Sequence, residues 1–118
     1  LPPFSLNGLA VRALEAAIGD RAHLDWYVEE SAESRRLIYD FCAARGLTCW
    51  PSDANFVLVR VGDAAGAIVD ALAARGILIR NRSSLPRCAG CVRITAGVTA
   101  HTRLCLDALE DTLATRTN

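Results

Sequence analysis

The spacing of two short apolar segments constrains the fold of this chain more than any other feature of its sequence. Residues 77–80 and 91–96 are predicted to be strands, in which successive side chains alternate between two faces. About ten residues separate them, which is too few for a crossover helix. The two strands are therefore predicted to pair as an antiparallel hairpin.

Periodicity predicts the remaining elements. Apolar residues at helical spacing indicate helices, and Gly46 and Gly76 stand where a glycine commonly ends one. The segment NFVLVRV is apolar on both faces, which indicates a strand in a sheet that is covered on both sides. The predicted helices span 5–18, 22–45, 63–75 and 99 onward, with N-caps at Ser5, Asp63 and Thr99, and the predicted strands span 47–50, 55–61, 77–80 and 91–96.

This order of elements predicts the α/β (α+β) class, a sandwich with a small, mostly antiparallel sheet covered by helices. A chain of 118 residues is expected to form a single domain. Helix 22–45 has an unusual polar middle, EESAESRR, which we expect to cross solvent or to meet something outside the chain. The chain lacks an initiating Met, an export signal and a membrane-length apolar run, so we expect a cytoplasmic segment of a longer protein, with no membrane partner.

Basic side chains concentrate in the predicted hairpin, although the net charge of the chain is zero. All 13 basic residues are arginine, and the chain contains no lysine. A pI near 7 argues against a nucleic-acid partner, whereas a local cluster of arginines favours a small anionic ligand. The cluster consists of Arg80, Arg82, Arg87 and Arg93.

Two arginines of this cluster are predicted to lie side by side. Arg80 ends the first strand of the hairpin and Arg93 lies near the start of the second, so both guanidinium groups come to the same edge of the sheet. Together they could clamp two anionic groups of one ligand, because a guanidinium binds carboxylate or phosphate bidentately. Alternatively, Arg93 pairs with an internal carboxylate such as Asp53. Arg82 and Arg87 are expected to be solvated.

The five cysteines include one CxxC pair, Cys88 and Cys91. The sequence favours free thiols in a reducing compartment. A zinc site would need ligands from distant positions, and a thioredoxin-like pair would open a helix, whereas this pair leads into a strand. We therefore expect no metal site.

Three motifs, in order, resemble histidinol-phosphate aminotransferase, a family of fold-type I enzymes that depend on pyridoxal phosphate. They are SDANFVLVRV at 52–61, RGILIRNRSS at 75–84 and GCVRITAG at 90–97, and the opening PPFSLNGLA at 2–10 is also similar. The resemblance covers essentially the whole chain and only the C-terminal part of the family. It implies that residues 1–118 form the small domain of the aminotransferase, with residues 1–20 connecting to a large domain.

The resemblance also implies a reaction and two binding residues. The family transfers an amino group between histidinol phosphate and 2-oxoglutarate in histidine biosynthesis. Its carboxylate-binding arginine corresponds to Arg93, and an arginine that helps to hold the substrate phosphate corresponds to Arg80. The family has Asp or a similar residue where this chain has Asn81, followed by an additional Arg82. Asn55 is either a turn residue or a residue whose amide oxygen orients the Arg93 guanidinium.

The cofactor implied by the resemblance is pyridoxal 5'-phosphate, bound by the large domain. Because transamination needs a lysine and this chain has none, we expect no catalytic or cofactor-binding residue in the chain and no activity from it alone. The full-length protein is expected to be a homodimer. Two alternatives remain open: an enzyme like threonine-phosphate decarboxylase, and a free-standing regulatory module that binds a small anion.

Overall fold

The structure is a computed structural model that describes residues 7–117, with side chains as far as residue 115. Helices and strands follow one another in the predicted order. Within the described range, no helix is both long and apolar enough to cross a bilayer. The helices are α1 (Gly8–Gly19), α2 (Arg21–Ala44), α3 (Ala65–Ala74) and α4 (Thr99–Thr117), and the strands are β1 (Thr48–Cys49), β2 (Phe56–Arg60), β3 (Arg80–Asn81) and β4 (Cys91–Thr95).

The four strands form one antiparallel sheet in the order β1-β2-β4-β3. The predicted hairpin is confirmed, because β3 pairs antiparallel with β4. Its first strand is shorter than predicted: only Arg80 and Asn81 pair, so the strand predicted over 77–80 was placed too early. The central strands β2 and β4 pair along their whole length, from Phe56 opposite Thr95 to Arg60 opposite Cys91.

The hydrophobic core lies on one face of this sheet, and the prediction of a sheet covered on both faces is wrong. Helices α2, α3 and α4 bury the inward residues of the two central strands. No described helix covers the other face, where Phe56 and Leu58 are only half-buried. The apolar outward residues of β2 misled the prediction, because apolarity alone does not show that a helix covers them. The inward residues are Val57, Val59, Val92 and Ile94.

One side of the polar middle of α2 contacts this domain, while Glu29 and Arg36 on the other side are exposed, so the prediction holds only for the exposed side. The hydroxyl of Ser31 donates to the carbonyl of Ala96 at 2.8 Å, and that of Ser34 donates to the carbonyl of Gly97 at 2.8 Å. The Thr102 hydroxyl in turn donates to the Ser34 oxygen at 2.9 Å. Both serines are buried, so the polar residues of α2 hold the segment that joins β4 to α4.

The helix caps differ from the prediction. Asp63 does not cap α3: Ala64 occupies the N-cap position without a side-chain hydrogen bond. Thr99 does not cap α4 with its hydroxyl, because both its N–H and its hydroxyl donate to the carboxylate of Glu30, at 2.7 Å and 2.8 Å. Ser5 lies outside the described residues, and the Asn7 side chain caps α1 by accepting from the N–H of Ala10 at 2.8 Å.

Candidate anion-binding site

Arg80 and Arg93 lie directly opposite each other in the β3–β4 ladder. Residues paired in this way project from the same face of a sheet, with Cβ atoms about 4.5–5.5 Å apart. The face is the one that no described helix covers. Because β4 alternates, Val92 and Ile94 fill the core while Arg93 points to the open side.

The Arg93 guanidinium is partly buried and has no acidic partner among residues 7–115. Its Nε atom is buried and makes no hydrogen bond to any described residue. No ion pair joins Arg93 to Asp53 or to another acid in the described part of the chain, so the internal-pair alternative is not observed. A buried donor without an acceptor is costly, which is the situation that an incoming carboxylate would relieve.

Phe56 supports Arg93, although no pattern in the sequence marks this residue. The central guanidinium carbon of Arg93 lies 5.1 Å from the centroid of the Phe56 ring, within the range of a cation–π interaction. Phe56 faces Thr95 in the ladder, so its ring approaches Arg93 diagonally. The contact between Phe56 and Arg93 depends on the register between β2 and β4, which the sequence alone does not reveal.

The remaining arginines near the site are less confined. Arg80 and Arg87 are exposed and Arg82 is half-buried, and none of the three forms an ion pair with a described residue. Arg60, on the same open face, lies over the Trp50 ring with its guanidinium carbon 5.2 Å from the centroid. The face therefore gathers positive charge, and no described carboxylate pairs with these arginines.

Asn55 lies next to this site, but its side chain makes no hydrogen bond to a described residue. Its backbone carbonyl accepts from the N–H of Ala96 at 2.8 Å and so extends the pairing of β2 with β4. The proposed action of its amide oxygen on Arg93 stays a prediction.

Helix α2 fixes the end of the sheet where Phe56 and Arg93 meet. The guanidinium of Arg35 donates to the carbonyl of Ala54 at 3.0 Å, just before β2. The same guanidinium donates to the Ser31 hydroxyl oxygen at 3.3 Å, and Ser31 holds the carbonyl that follows β4. One turn of α2 therefore holds both central strands at the end of the sheet where Phe56 pairs with Thr95.

Glu30 completes the contacts of α2 with the segment that follows β4. Its carboxylate accepts from the N–H and the hydroxyl of Thr99, and these two hydrogen bonds lower the pKa of Glu30 below its ordinary value. The N-terminus of a helix carries partial positive charge, which also favours a carboxylate at this position. Glu30 thereby ties α2 to the first residue of α4.

The residues of this chain do not form a complete site for pyridoxal phosphate. The open face offers arginines, but the chain contains no lysine whose amine could hold the cofactor covalently. Across the described residues, His, Cys, Asp and Glu side chains also form no group of three that could bind a metal ion. The arrangement is suited to binding the anionic groups of a small molecule.

The chain matches the family model described as aminotransferase class I and II over residues 2–108. It belongs to this family. Two relatives of the aminotransferase chain are histidinol-phosphate aminotransferases. That of Haloarcula marismortui is 38% identical over 94% of this chain and 29% of its own length. That of Methylibium petroleiphilum is 37% identical over 96% of this chain and 31% of its own length.

A solved structure supports both the family and the fold. The histidinol-phosphate aminotransferase of Sinorhizobium meliloti, in complex with pyridoxal-5'-phosphate, is 33% identical and matches with a TM-score of 0.80. The match covers 98% of this aminotransferase chain and 32% of that structure. The chain spans from 21% to 32% of the length of the curated relatives compared with it. The small antiparallel sheet with helices is thus confirmed as an aminotransferase fold element.

Proposed function

We propose that the protein containing this chain is a histidinol-phosphate aminotransferase. It transfers an amino group between histidinol phosphate and 2-oxoglutarate in histidine biosynthesis, and it uses pyridoxal phosphate. The single observation that carries the proposal is the pair of cross-strand arginines on the open face, neither of which has an acidic partner among the described residues.

Within this reaction Arg93 binds the carboxylate of glutamate or 2-oxoglutarate, and Arg80 binds the phosphate of histidinol phosphate. One site must accept a phosphate ester in one half-reaction and a dicarboxylate in the other. A guanidinium suits both groups, because it remains charged and offers two parallel N–H donors. The unpartnered Nε of Arg93 supports its role as a side-on donor to a carboxylate.

The cofactor belongs to the part of the protein outside this chain. Pyridoxal phosphate supplies the electron sink that transamination needs, and this chain provides no lysine for it. The remainder of the protein also provides the surface that covers α1, whose apolar residues are exposed: Leu9 by 85% and Ile18 by 61%. We expect the complete enzyme to be a cytoplasmic homodimer.

Two alternatives are weaker. A decarboxylase that acts on threonine phosphate would also need a phosphate-binding arginine, but the relatives compared above are named as aminotransferases. A free-standing anion-binding module is disfavoured, because the family match covers residues 2–108 while the chain spans less than a third of the solved relative's length. Release of carbon dioxide from threonine phosphate by the complete protein would support the first alternative.

Replacement of Arg93 in the full-length enzyme tests the proposal. We expect Arg93→Ala to raise the KM for glutamate and for 2-oxoglutarate by about 100-fold or more. Each charge-assisted hydrogen bond contributes roughly 1.5–3 kcal/mol, and about 1.4 kcal/mol corresponds to a tenfold change. The absorbance of bound pyridoxal phosphate should not change, because Arg93 lies in a part of the protein without the cofactor lysine.

Two further variants make the test specific. Arg80→Ala should impair turnover of histidinol phosphate far more than that of histidinol, which lacks the phosphate. Arg60→Ala is the matched control, because Arg60 lies on the same open face but rests on Trp50, and its kinetics should match the unsubstituted enzyme. An unchanged KM for glutamate in Arg93→Ala would refute the carboxylate role. Equal losses on both substrates would show that Arg80 acts structurally.

A further inference from the structure

Cys88 and Cys91 lie at the two ends of a hydrogen-bonded β-turn in the loop between β3 and β4. The N–H of Cys91 donates to the carbonyl of Cys88 at 2.9 Å, and Gly90 has a φ of +69°. The sulfur of Cys91 folds back over the turn and lies 3.7 Å from the carbonyl oxygen of Ala89. The ends of a β-turn have Cα atoms closer than about 7 Å, and disulfides span Cα separations of about 4.4–6.8 Å.

The turn is held in place by the segment that follows β2. The carbonyl of Gly90 accepts from the N–H groups of Val61 and Gly62, at 2.8 Å and 3.1 Å. A Cβ atom at Gly90 would lie 2.9 Å from the backbone of Gly62, so only glycine permits this approach. The two cysteines are therefore already close before any reaction, which favours a bond between them over a bond to separate molecules.

Two of the other cysteines are held as protonated thiols inside the core. Burial raises the pKa of Cys42 to about 12 and that of Cys105 to about 11, so both remain protonated thiols at neutral pH. Cys49 contacts Cys42 between β1 and α2. Cys88 is half-buried and Cys91 is buried, so a reagent from solvent would meet Cys88 first.

We propose that Cys88 and Cys91 form a reversible dithiol–disulfide site for small anionic disulfides of the glutathione class. The Cys88 thiolate attacks one sulfur of the reagent, forms a mixed disulfide and releases one glutathione thiolate. The Cys91 thiolate then attacks the Cys88 sulfur and releases the second glutathione. The two cysteines lose two electrons and two protons, and one glutathione disulfide becomes two glutathione thiols.

The charge of the loop selects an anionic reagent. Arg87 is exposed beside Cys88, Arg82 is half-buried at the start of the loop, and residues 82–91 contain no acid. Glutathione disulfide carries carboxylates that this charge attracts, whereas cystamine is a disulfide that carries ammonium groups. The loop joins the strand of Arg80 to the strand of Arg93. The disulfide would therefore restrict the motion of the loop between the two arginines. The site itself does not depend on the proposed aminotransferase activity.

The test uses the full-length protein in its reduced form, treated with glutathione disulfide, denatured, alkylated and digested with trypsin. Cleavage after Arg87 and Arg93 yields one peptide, CAGCVR, that contains both cysteines. We expect this peptide to lose the mass of two hydrogen atoms and to take up no alkyl group. Dithiothreitol should restore both alkylation sites. At low salt, cystamine should react about tenfold more slowly than glutathione disulfide. The difference should be smaller in Arg87→Asn, since Asn tolerates the φ of +64° at this position, and there the cysteines are followed in the longer tryptic peptide SSLPNCAGCVR.

Substituted proteins separate the possible outcomes. Cys91→Ala should stop at a mixed disulfide of Cys88 with glutathione, whereas Cys49→Ser should still form the disulfide in CAGCVR. Full alkylation of CAGCVR after treatment would overturn the proposal, as would a persistent glutathione adduct on Cys88 in the unsubstituted protein. Equal rates with cystamine and glutathione disulfide would overturn the selection of an anionic reagent.

Discussion

Arg93 requires a hydrogen-bond acceptor for its guanidinium and a surface that holds the orientation of that group. Its charge needs an acceptor, which no described residue supplies. Its planar group also needs a surface that holds its orientation, and the Phe56 ring supplies one at 5.1 Å. An arginine whose orientation is already fixed loses less rotational freedom when it binds a carboxylate, so we expect the ring to raise the affinity of Arg93 for the proposed carboxylate without contacting it.

Phe56→Leu in the full-length enzyme removes the ring but keeps an apolar side chain. We expect the KM for 2-oxoglutarate to rise about two- to fivefold, because a cation–π interaction at a partly exposed site contributes about 0.5–1 kcal/mol. The kcat measured with saturating substrate should remain close to that of the unsubstituted enzyme. Phe56→Tyr retains the ring and should restore the KM. A fall in kcat with an unchanged KM would contradict the role of the ring as a support for Arg93.

The sequence was sufficient to bring Arg80 and Arg93 together, because a connection of about ten residues permits only an antiparallel pair. It was not sufficient to find Phe56. The register between β2 and β4 depends on how the whole core packs, and the two strands lie more than thirty residues apart in the chain. Local patterns carry information about neighbours in sequence, whereas the contact between Phe56 and Arg93 is a property of the assembled sheet.

At the scale of elements, α2 combines two functions that its sequence separates by position. Its apolar residues Ile38 and Phe41 enter the core, while its polar residues bind the backbone around β4. A polar stretch in the middle of a long helix looks like a solvent-exposed segment when only hydropathy is considered. The serine hydroxyls of α2 donate to the carbonyl groups of Ala96 and Gly97, and the sequence of α2 does not indicate these acceptors.

Glu30 makes the link between α2 and α4 dependent on pH. Because hydrogen bonds from Thr99 lower the pKa of Glu30 in the folded state, its contribution to stability is fully present above the ordinary value of 4.5. The contribution is lost as the pH falls through the lowered pKa. We therefore expect the unsubstituted chain to be more stable than Glu30→Gln at pH 7, and the difference to shrink below pH 4.5.

Urea unfolding of the 118-residue chain at several pH values measures this difference. Glu29→Gln is the matched control, because Glu29 is exposed on the same turn of α2 and makes no hydrogen bond with a described residue. Its free energy of unfolding should stay close to that of the unsubstituted chain across the range. A difference for Glu30→Gln that remains constant as the pH falls would show that the carboxylate charge is not responsible.

The chain as a whole is less compact than a domain of its size that folds alone. Its radius of gyration is 16.6 Å, whereas about 13.5 Å is typical of a compact domain of this length. Its accessible surface is 8022 Å², against about 6,200 Å² expected for a compact monomer of this mass. Helix α1 contributes to this excess, because it buries none of its residues and packs chiefly against α2 among the described elements.

Helix α1 should therefore contribute little to the stability of the isolated chain. Deletion of residues 1–19 leaves Asp20 in place as the N-cap of α2, and we expect the free energy of unfolding to change by no more than about 0.5 kcal/mol. Binding of a hydrophobic dye should decrease, because the exposed apolar residues of α1 are removed. Deletion of residues 99–118 provides the contrast, since α4 carries buried residues such as Leu109, and should abolish folding. A large loss of stability without α1 would show that it belongs to the core.

Helix α2 binds the end of β4 through main-chain oxygens and not through side chains. Related chains can therefore exchange the residue at position 96 for others of similar volume while the strand that carries Arg93 keeps its place. Position 97 accepts less side-chain volume, because a methyl group there would approach the Tyr27 hydroxyl to 3.3 Å. Because Ala96 is also buried in the core, we expect related chains to keep small apolar residues at position 96 and the smallest side chains at position 97.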